Sequence, residues 1–161
     1  MESKRKAGKI MKFKTDYASL CRDLASLTEN VPYLIANLAN TSALIWERME
    51  GLNWAGFYIL TDGALVLGPF QGKTACIRIP LGRGVCGTAA EQGRTQLVEN
   101  VHNFPGHIAC DSASNSEVVV PLYKNGNLWG VLDLDSPYVG RFTENDRQEL
   151  ENLTKIIEAF L

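Results

Sequence analysis

The chain has 161 residues, 45% apolar and 21% charged, which suits one globular domain with a core that needs no covalent staples. No apolar run approaches the ~18 residues that span a bilayer, and the N-terminus lacks the apolar stretch of a secretory signal, so a cytoplasmic setting is expected. The net charge of −2 averages two unlike parts. Residues 1–14 carry six lysines and arginines against Glu2, while residues 15–161 hold ten basic and seventeen acidic residues. The first part reads as a basic flexible arm. The acidic body, read as a single domain over 15–161, is a poor partner for polyanions, which argues against nucleic acid as well as membrane.

In chain order, Tyr17, Leu20, Cys21, Leu24 and Leu27 recur at helical spacing behind Thr15 or Asp16 as a cap. Pro32 opens a second helical pattern, Leu34, Ile35, Leu38, Ile45 and Met49, closed by Gly51. Strands follow at Ala55–Leu60 and Ala64–Leu67, joined by Asp62-Gly63, and at Cys76–Leu81. Thr88–Gln92 reads as a short helix after a glycine-rich turn, and Thr95–Val98 as a short strand. Residues 99–116 show little periodicity, and a loop of that length in a compact domain is usually functional or disordered. Glu117–Tyr123 and Leu128–Asp135 flank Asn125-Gly126, the clearest hairpin in the chain. The last helix begins at Thr143 with Asp146 completing a capping box, and Leu150, Leu153, Ile157 and Phe160 form its stripe. Helices at the ends of consecutive hairpins predict an α+β fold on an antiparallel sheet.

Two glycine motifs invite a nucleotide-binding reading and fail it. Gly82-Arg-Gly84-Val-Cys-Gly87 has the dinucleotide spacing, but the predicted helix behind it is too short and hairpins follow where a parallel crossover is required. Gly68-Pro-Phe-Gln-Gly72-Lys73-Thr74 has three residues between its glycines instead of four and runs into a strand.

Four cysteines in a reducing setting are structural, metal-binding or redox-active. Cys21 lies on the stripe of the first helix and reads as packing. Cys86 sits near the start of the short helix, where backbone amides and Arg83 would favour a thiolate. Cys76 opens the strand that leads into that turn. Cys110 lies in the long loop, three residues after His107, as a nucleophile would. A tetrahedral metal set from His102, His107, Cys110 and Cys76 or Cys86 is the rival, weakened by the lack of a paired C-x₂-C. Alternation along 128–135 places Leu128, Gly130, Leu132 and Leu134 on one face, with Trp129, Val131, Asp133 and Asp135 on the other. Glu117 opens the partner strand. Acids crowded in a half-buried pocket would hold a proton near neutral pH; on an exposed face they would only be solvated.

Seven blocks together carry a family resemblance: Asn53-Trp-Ala-Gly-Phe-Tyr58, Gly68-Pro-Phe-Gln-Gly72, Ala75-Cys-Ile-Arg-Ile-Pro80, Gly82-Arg-Gly-Val-Cys-Gly-Thr-Ala89, Phe104-Pro-Gly-His-Ile-Ala-Cys-Asp-Ser-Ala-Ser114, Glu117-Val-Val-Val-Pro121 and Gly130-Val-Leu-Asp-Leu-Asp-Ser136. In this order they resemble the free methionine-(R)-sulfoxide reductases, enzymes built on a GAF domain. The resemblance implies a single domain whose sheet of about six antiparallel strands carries the N- and C-terminal helices on one face. It implies Cys110 as the thiolate that attacks the sulfoxide sulfur, and Cys76 as the resolving thiol with Cys86 as alternate or relay. Glu117, Asp133 and Asp135 become the substrate-site acids; Trp54 walls the S-methyl group and Tyr58 lines the same pocket. It further implies thioredoxin as the external reductant, no bound cofactor, no metal, and a homodimer paired through helices. Two other classes stay open on sequence: a GAF sensor for a small amino acid or cyclic nucleotide, and a metal- or redox-sensing regulator that uses the basic arm on DNA.

Overall fold

A computed structural model describes residues 12–107 and 113–161; most of the basic arm, and Cys110 in the long loop, lie outside the described residues. The elements in chain order are α1 (Tyr17–Thr28), α2 (Leu34–Arg48), β1 (Trp54–Thr61), β2 (Ala64–Gly72), β3 (Arg78–Pro80), α3 (Gly84–Gln92), β4 (Gln96–Val98), a 3₁₀ turn (Val101–Asn103), β5 (Ser116–Lys124), β6 (Asn127–Ser136) and α4 (Glu144–Glu158). The strands form one sheet in the order β3-β2-β1-β6-β5-β4, every neighbouring pair antiparallel. This is the α+β architecture expected, with six strands among the described residues.

The two faces of the sheet are covered differently. Leu20 and Leu24 of α1, Leu38 and Ile45 of α2, and Leu150, Leu153 and Ile157 of α4 pack with Phe57, Val118, Val120, Leu132 and Leu134 in one buried cluster. The terminal helices therefore share a face, as expected. Val85, Cys86, Ala89 and Ala90 of α3 cover the other face with Trp54, Tyr58, Val119 and Val131. The alternation of β1 and β6, apolar on both sides, is what a sheet covered on both faces requires.

Local chemistry sets the helix ends. The Asp16 carboxylate accepts from Ser19 N at 3.0 Å, so Asp16 rather than Thr15 caps α1. The Thr143–Asp146 capping box is present at α4. Asp146 also accepts from Tyr17 Oη at 2.6 Å, tying α4 to α1. On α2 the buried Thr41 and Ser42 hydroxyls donate to the carbonyls of Asn37 and Leu38, which satisfies them inside the core. Leu27 and Ile35, expected on apolar stripes, are exposed; Thr28 and Asn37 hold the buried positions instead.

Three predicted boundaries move. β2 runs on to Gly72, so the phosphate-loop look-alike is strand, with a register irregularity opposite Gly56–Tyr58. β3 keeps only Arg78–Pro80 of the expected Cys76–Leu81. α3 starts at Gly84, four residues before the predicted Thr88. The last shift has a packing reason: a Cβ at Gly87 would lie 2.5 Å from the Pro80 carbonyl oxygen, so the glycine lets the helix press against the turn after β3. A further correction concerns parity on β6. Leu122 pairs with Gly130 but Tyr123 with Leu128, leaving Trp129 as an extra residue. Trp129 thereby turns to the α1/α2/α4 side and Leu128 to the α3 side, the reverse of simple alternation.

Candidate active site

Register assembles the acids. Trp54 pairs with Asp135 across β1 and β6, and Asp135 pairs with Glu117 across β6 and β5, so the three side chains form one row across three neighbouring strands. One step along, Gly56, Asp133 and Val119 form the next row on the same face. Tyr58 follows, opposite Val131. The rows form the floor of a cavity of about 50 Å³. Cys86 and Val85 of α3 roof it, Thr74, Ala75, Ile79 and Arg83 wall one side, and His107 and Ser114, from either flank of the long loop, close the other.

The acids are buried, not solvated. Glu117 is 6% exposed and Asp133 5%, and Asp133 Oδ1 has no hydrogen-bond partner among the described residues. Burial holds the Glu117 carboxyl well above the usual carboxylate range, helped by the charges of Asp133 and Asp135 and by its hydrogen bond to Asp133. Burial likewise raises Asp133, against the lowering effect of hydrogen bonds from Glu117 and Cys86. The half-buried Asp135 borders them. The Cys86 thiol, 4% exposed, lies 3.8 Å from Glu117 Oε1 as a donor.

The thiolate expected at Cys86 is overturned. The residue is inside the first turn of α3, facing the sheet, and its thiol is pushed well up, by burial first and then by the charges of Asp133, Glu117 and Asp135. Burial together with the crowded carboxyl groups outweighs the helix amides. Sulfur and carboxylate oxygens of Cys86, Glu117 and Asp133 lie within 4.8 Å of one another, a spacing that could hold a metal ion. The metal set weighed from sequence differs: His102 Nε2 instead hydrogen-bonds Asn115 Oδ1 at 2.8 Å.

Trp54 and Tyr58 both line the cavity, as expected, and have a second task. Trp54 Nε1 donates to the Lys73 carbonyl at 3.1 Å, and Tyr58 Oη to the Cys76 carbonyl at 2.9 Å. The aromatic wall thus anchors the segment that carries Cys76. Indole and phenol rings are stacked 5.8 Å apart, with Phe70 stacked on the other side of Trp54 at 5.1 Å. Burial, then Asp133, raises the Tyr58 hydroxyl, which keeps it a neutral donor. Cys76 is disulfide-bonded, while Cys21 and Cys86 are free thiols.

Asn115 was not legible as a site residue. Its backbone N donates to Ser136 O at 2.8 Å, its amide to Pro137 O at 2.8 Å, and its carbonyl accepts from Val101 N at 2.9 Å. Together with the His102 contact, these bonds clamp both ends of the long loop to β6. Asn53 Nδ2 donates to Ser114 Oγ at 3.1 Å, fixing the cavity edge beside them. His107, noted in sequence as a neighbour of Cys110 and as a member of the rival metal set, lines the cavity; burial, then His102, lowers its proton affinity.

A GAF domain model matches residues 36–161. The chain is 56% identical over 145 residues to the "Free methionine-R-sulfoxide reductase" of Escherichia coli K12, covering 90% of this chain and 88% of that one. The "fRMsr" of Staphylococcus aureus in its reduced form superposes with a TM-score of 0.91 at 49% identity, over 94% of this chain and 99% of that one. The free methionine-R-sulfoxide reductase of Neisseria meningitidis, solved in complex with its substrate, gives a TM-score of 0.87 at 45% identity, over 89% and 87%. No helix among the described residues is long and apolar enough to cross a membrane.

Proposed function

The chain belongs to the free methionine-R-sulfoxide reductases built on a GAF domain, and on that premise we propose that this oxidoreductase reduces free L-methionine (R)-sulfoxide to L-methionine in the cavity just described. The observation that carries the reading is the pairing of an aromatic wall with a buried, proton-holding carboxylate cluster in one small cavity. A free amino acid presents an ammonium group, a carboxylate and a polar sulfoxide on a short apolar stem. Trp54 and Tyr58 suit the methyl and stem. The unpartnered Asp133 oxygen and Asp135 suit the ammonium.

The chemistry follows from the same groups. The Cys110 thiolate attacks the sulfoxide sulfur, and the S–O bond breaks as its oxygen takes a proton. Without an acid the leaving oxygen would carry full charge; Glu117, whose burial retains a proton at neutral pH, supplies it. The oxygen passes to the Cys110 sulfur as the transient S–S bond to the substrate breaks, so methionine departs and Cys110 is left as a sulfenic acid. A second thiol condenses with it, forming a disulfide and releasing water. Cys76 is the resolving thiol in this reading, supported by its being disulfide-bonded while Cys86 is free. Burial and the nearby carboxyls raise the Cys86 thiol, which makes it a slow nucleophile. Thioredoxin then returns two electrons and two protons, in the cytoplasm. We also place the enzyme as a homodimer paired through helices, supported by the exposure of Leu27, Ile35 and Trp46 on α1 and α2.

The deciding experiment follows loss of free methionine (R)-sulfoxide with NADPH, thioredoxin and thioredoxin reductase, beside a peptide-bound sulfoxide. Turnover of the free amino acid alone, abolished in Cys110→Ser, is expected. Full activity in Cys110→Ser would overturn the nucleophile, and turnover of the peptide would overturn the substrate class.

A further inference from the structure

The segment that walls the cavity has a second surface. From Lys73 to Arg83 it carries Lys73, Arg78 and Arg83 and no acid, although acids outnumber bases in the body of the chain. None of the three cations takes part in an ion pair among the described residues. Within this cationic stretch two large apolar side chains face solvent: Ile77, 75% exposed, and Leu81, 37%. Both flank β3, the terminal strand of the sheet order, which among the described residues is paired only with β2. Ile77 directly follows the half-buried, disulfide-bonded Cys76. The Tyr58 and Trp54 hydrogen bonds anchor the backbone at Cys76 and Lys73, ahead of it.

We propose that the edge from Ile77 to Leu81, with Lys73, Arg78 and Arg83 around it, is the docking face for the dithiol protein that reduces the Cys76 disulfide. The inference rests on the proposed cycle, in which that disulfide is the oxidised product. The occupant is set by three features. It must bring a thiolate to Cys76, cover an isoleucine with apolar surface, and carry acidic groups at the rim to complement three unpaired cations. β3, at the end of the strand order, offers an extended segment of the partner an edge to pair with.

The exchange balances. A partner thiolate attacks the sulfur of Cys76, the S–S bond breaks, and the expelled cysteine leaves as a thiolate that takes a proton. The partner's second thiol loses its proton and attacks the partner's first sulfur, and Cys76 departs and is protonated. Two electrons and two protons reach this chain, and the partner is left as a disulfide.

The test measures kcat/KM for reduced thioredoxin and, separately, turnover with dithiothreitol, in Ile77→Asp and Arg78→Glu. Both variants are expected to lose about tenfold or more in kcat/KM for thioredoxin, with the dithiothreitol rate unchanged. The decline of the thioredoxin rate with added salt should be shallower in Arg78→Glu. An unchanged thioredoxin rate overturns the proposal, as does an equal loss with both reductants, which would make the strand a support of the cavity. Sedimentation showing that Ile77→Asp splits a dimer, with its thioredoxin rate following the dimer fraction, would assign the face to a second copy and overturn it too. Failure of the underlying cycle reads differently: Cys76→Ser would then turn over fully with either reductant.

Discussion

Glu117→Gln separates what the carboxylate cluster does for chemistry from what it does to stability. The amide can still accept from the Cys86 thiol and donate to Asp133, so it mimics the protonated acid. A carboxyl with a higher proton affinity in the folded than in the unfolded chain takes up a proton on folding. Its contribution to stability is therefore fully present below the unfolded value, about 4.3, and declines as pH rises until the folded group itself ionises. Asp133, moved from 3.8 to about 6, sets the scale: at about 1.4 kcal/mol per pH unit, one such buried carboxyl costs roughly 3 kcal/mol at neutral pH. Allowing for relaxation, Glu117→Gln is expected to gain about 2 kcal/mol at pH 7.5 and almost nothing at pH 4.5. For a chain of this length that is a rise in Tm of roughly 4–8 °C. Thermal unfolding of both proteins between pH 4.5 and 8 reads it directly. Turnover with dithiothreitol should fall about 100-fold or more, because an amide cannot release the proton. A variant whose Tm advantage fails to grow with pH, or one that is less stable at pH 7.5 than at pH 4.5 relative to the parent, refutes the reasoning.

Two further outcomes follow from the same structure. KM for methionine sulfoxide should rise as pH falls through about 6, where the Asp133 carboxylate takes up its proton and ceases to attract the substrate ammonium; initial rates of the parent and Asp133→Asn check this, the variant having a high KM that no longer changes across that range. Gly87→Ala places a methyl 2.5 Å from the Pro80 oxygen and should cost about 1–3 kcal/mol, read from the urea midpoint, while the same change at the exposed Gly63, where nothing lies within 4 Å of the added carbon, should cost only what its φ of +78° imposes.

Much of the architecture lies in local pattern. The Thr143–Asp146 capping box and the Asn125-Gly126 hairpin depend on residues adjacent in the chain, and each is found in the fold. Trp129 shows the limit of such pattern. Period-two alternation assigned it to the acid face, but one extra residue against β5 reversed it, and only the paired strand reveals the bulge. The start of α3 was misjudged for a similar reason. Gly84 and Gly87 have poor helix propensity, and the contact that favours the helix, between Gly87 and the Pro80 carbonyl, is made by another part of the chain.

The four cysteines divide along the same line. By itself the sequence determined their number, the packing role of Cys21 on its helical stripe, and the acids Glu117, Asp133 and Asp135 as a group. Only the tertiary structure decided the state of Cys86. Sequence placed it at a helix start beside Arg83, where amide dipoles favour a thiolate; the fold set it against three carboxylates in a site shielded from water. Dipole effects are local and readable from neighbouring residues, whereas desolvation and charge crowding depend on which strands pair and in what register. That register put Glu117 opposite Asp135 and brought Asp133 beside them.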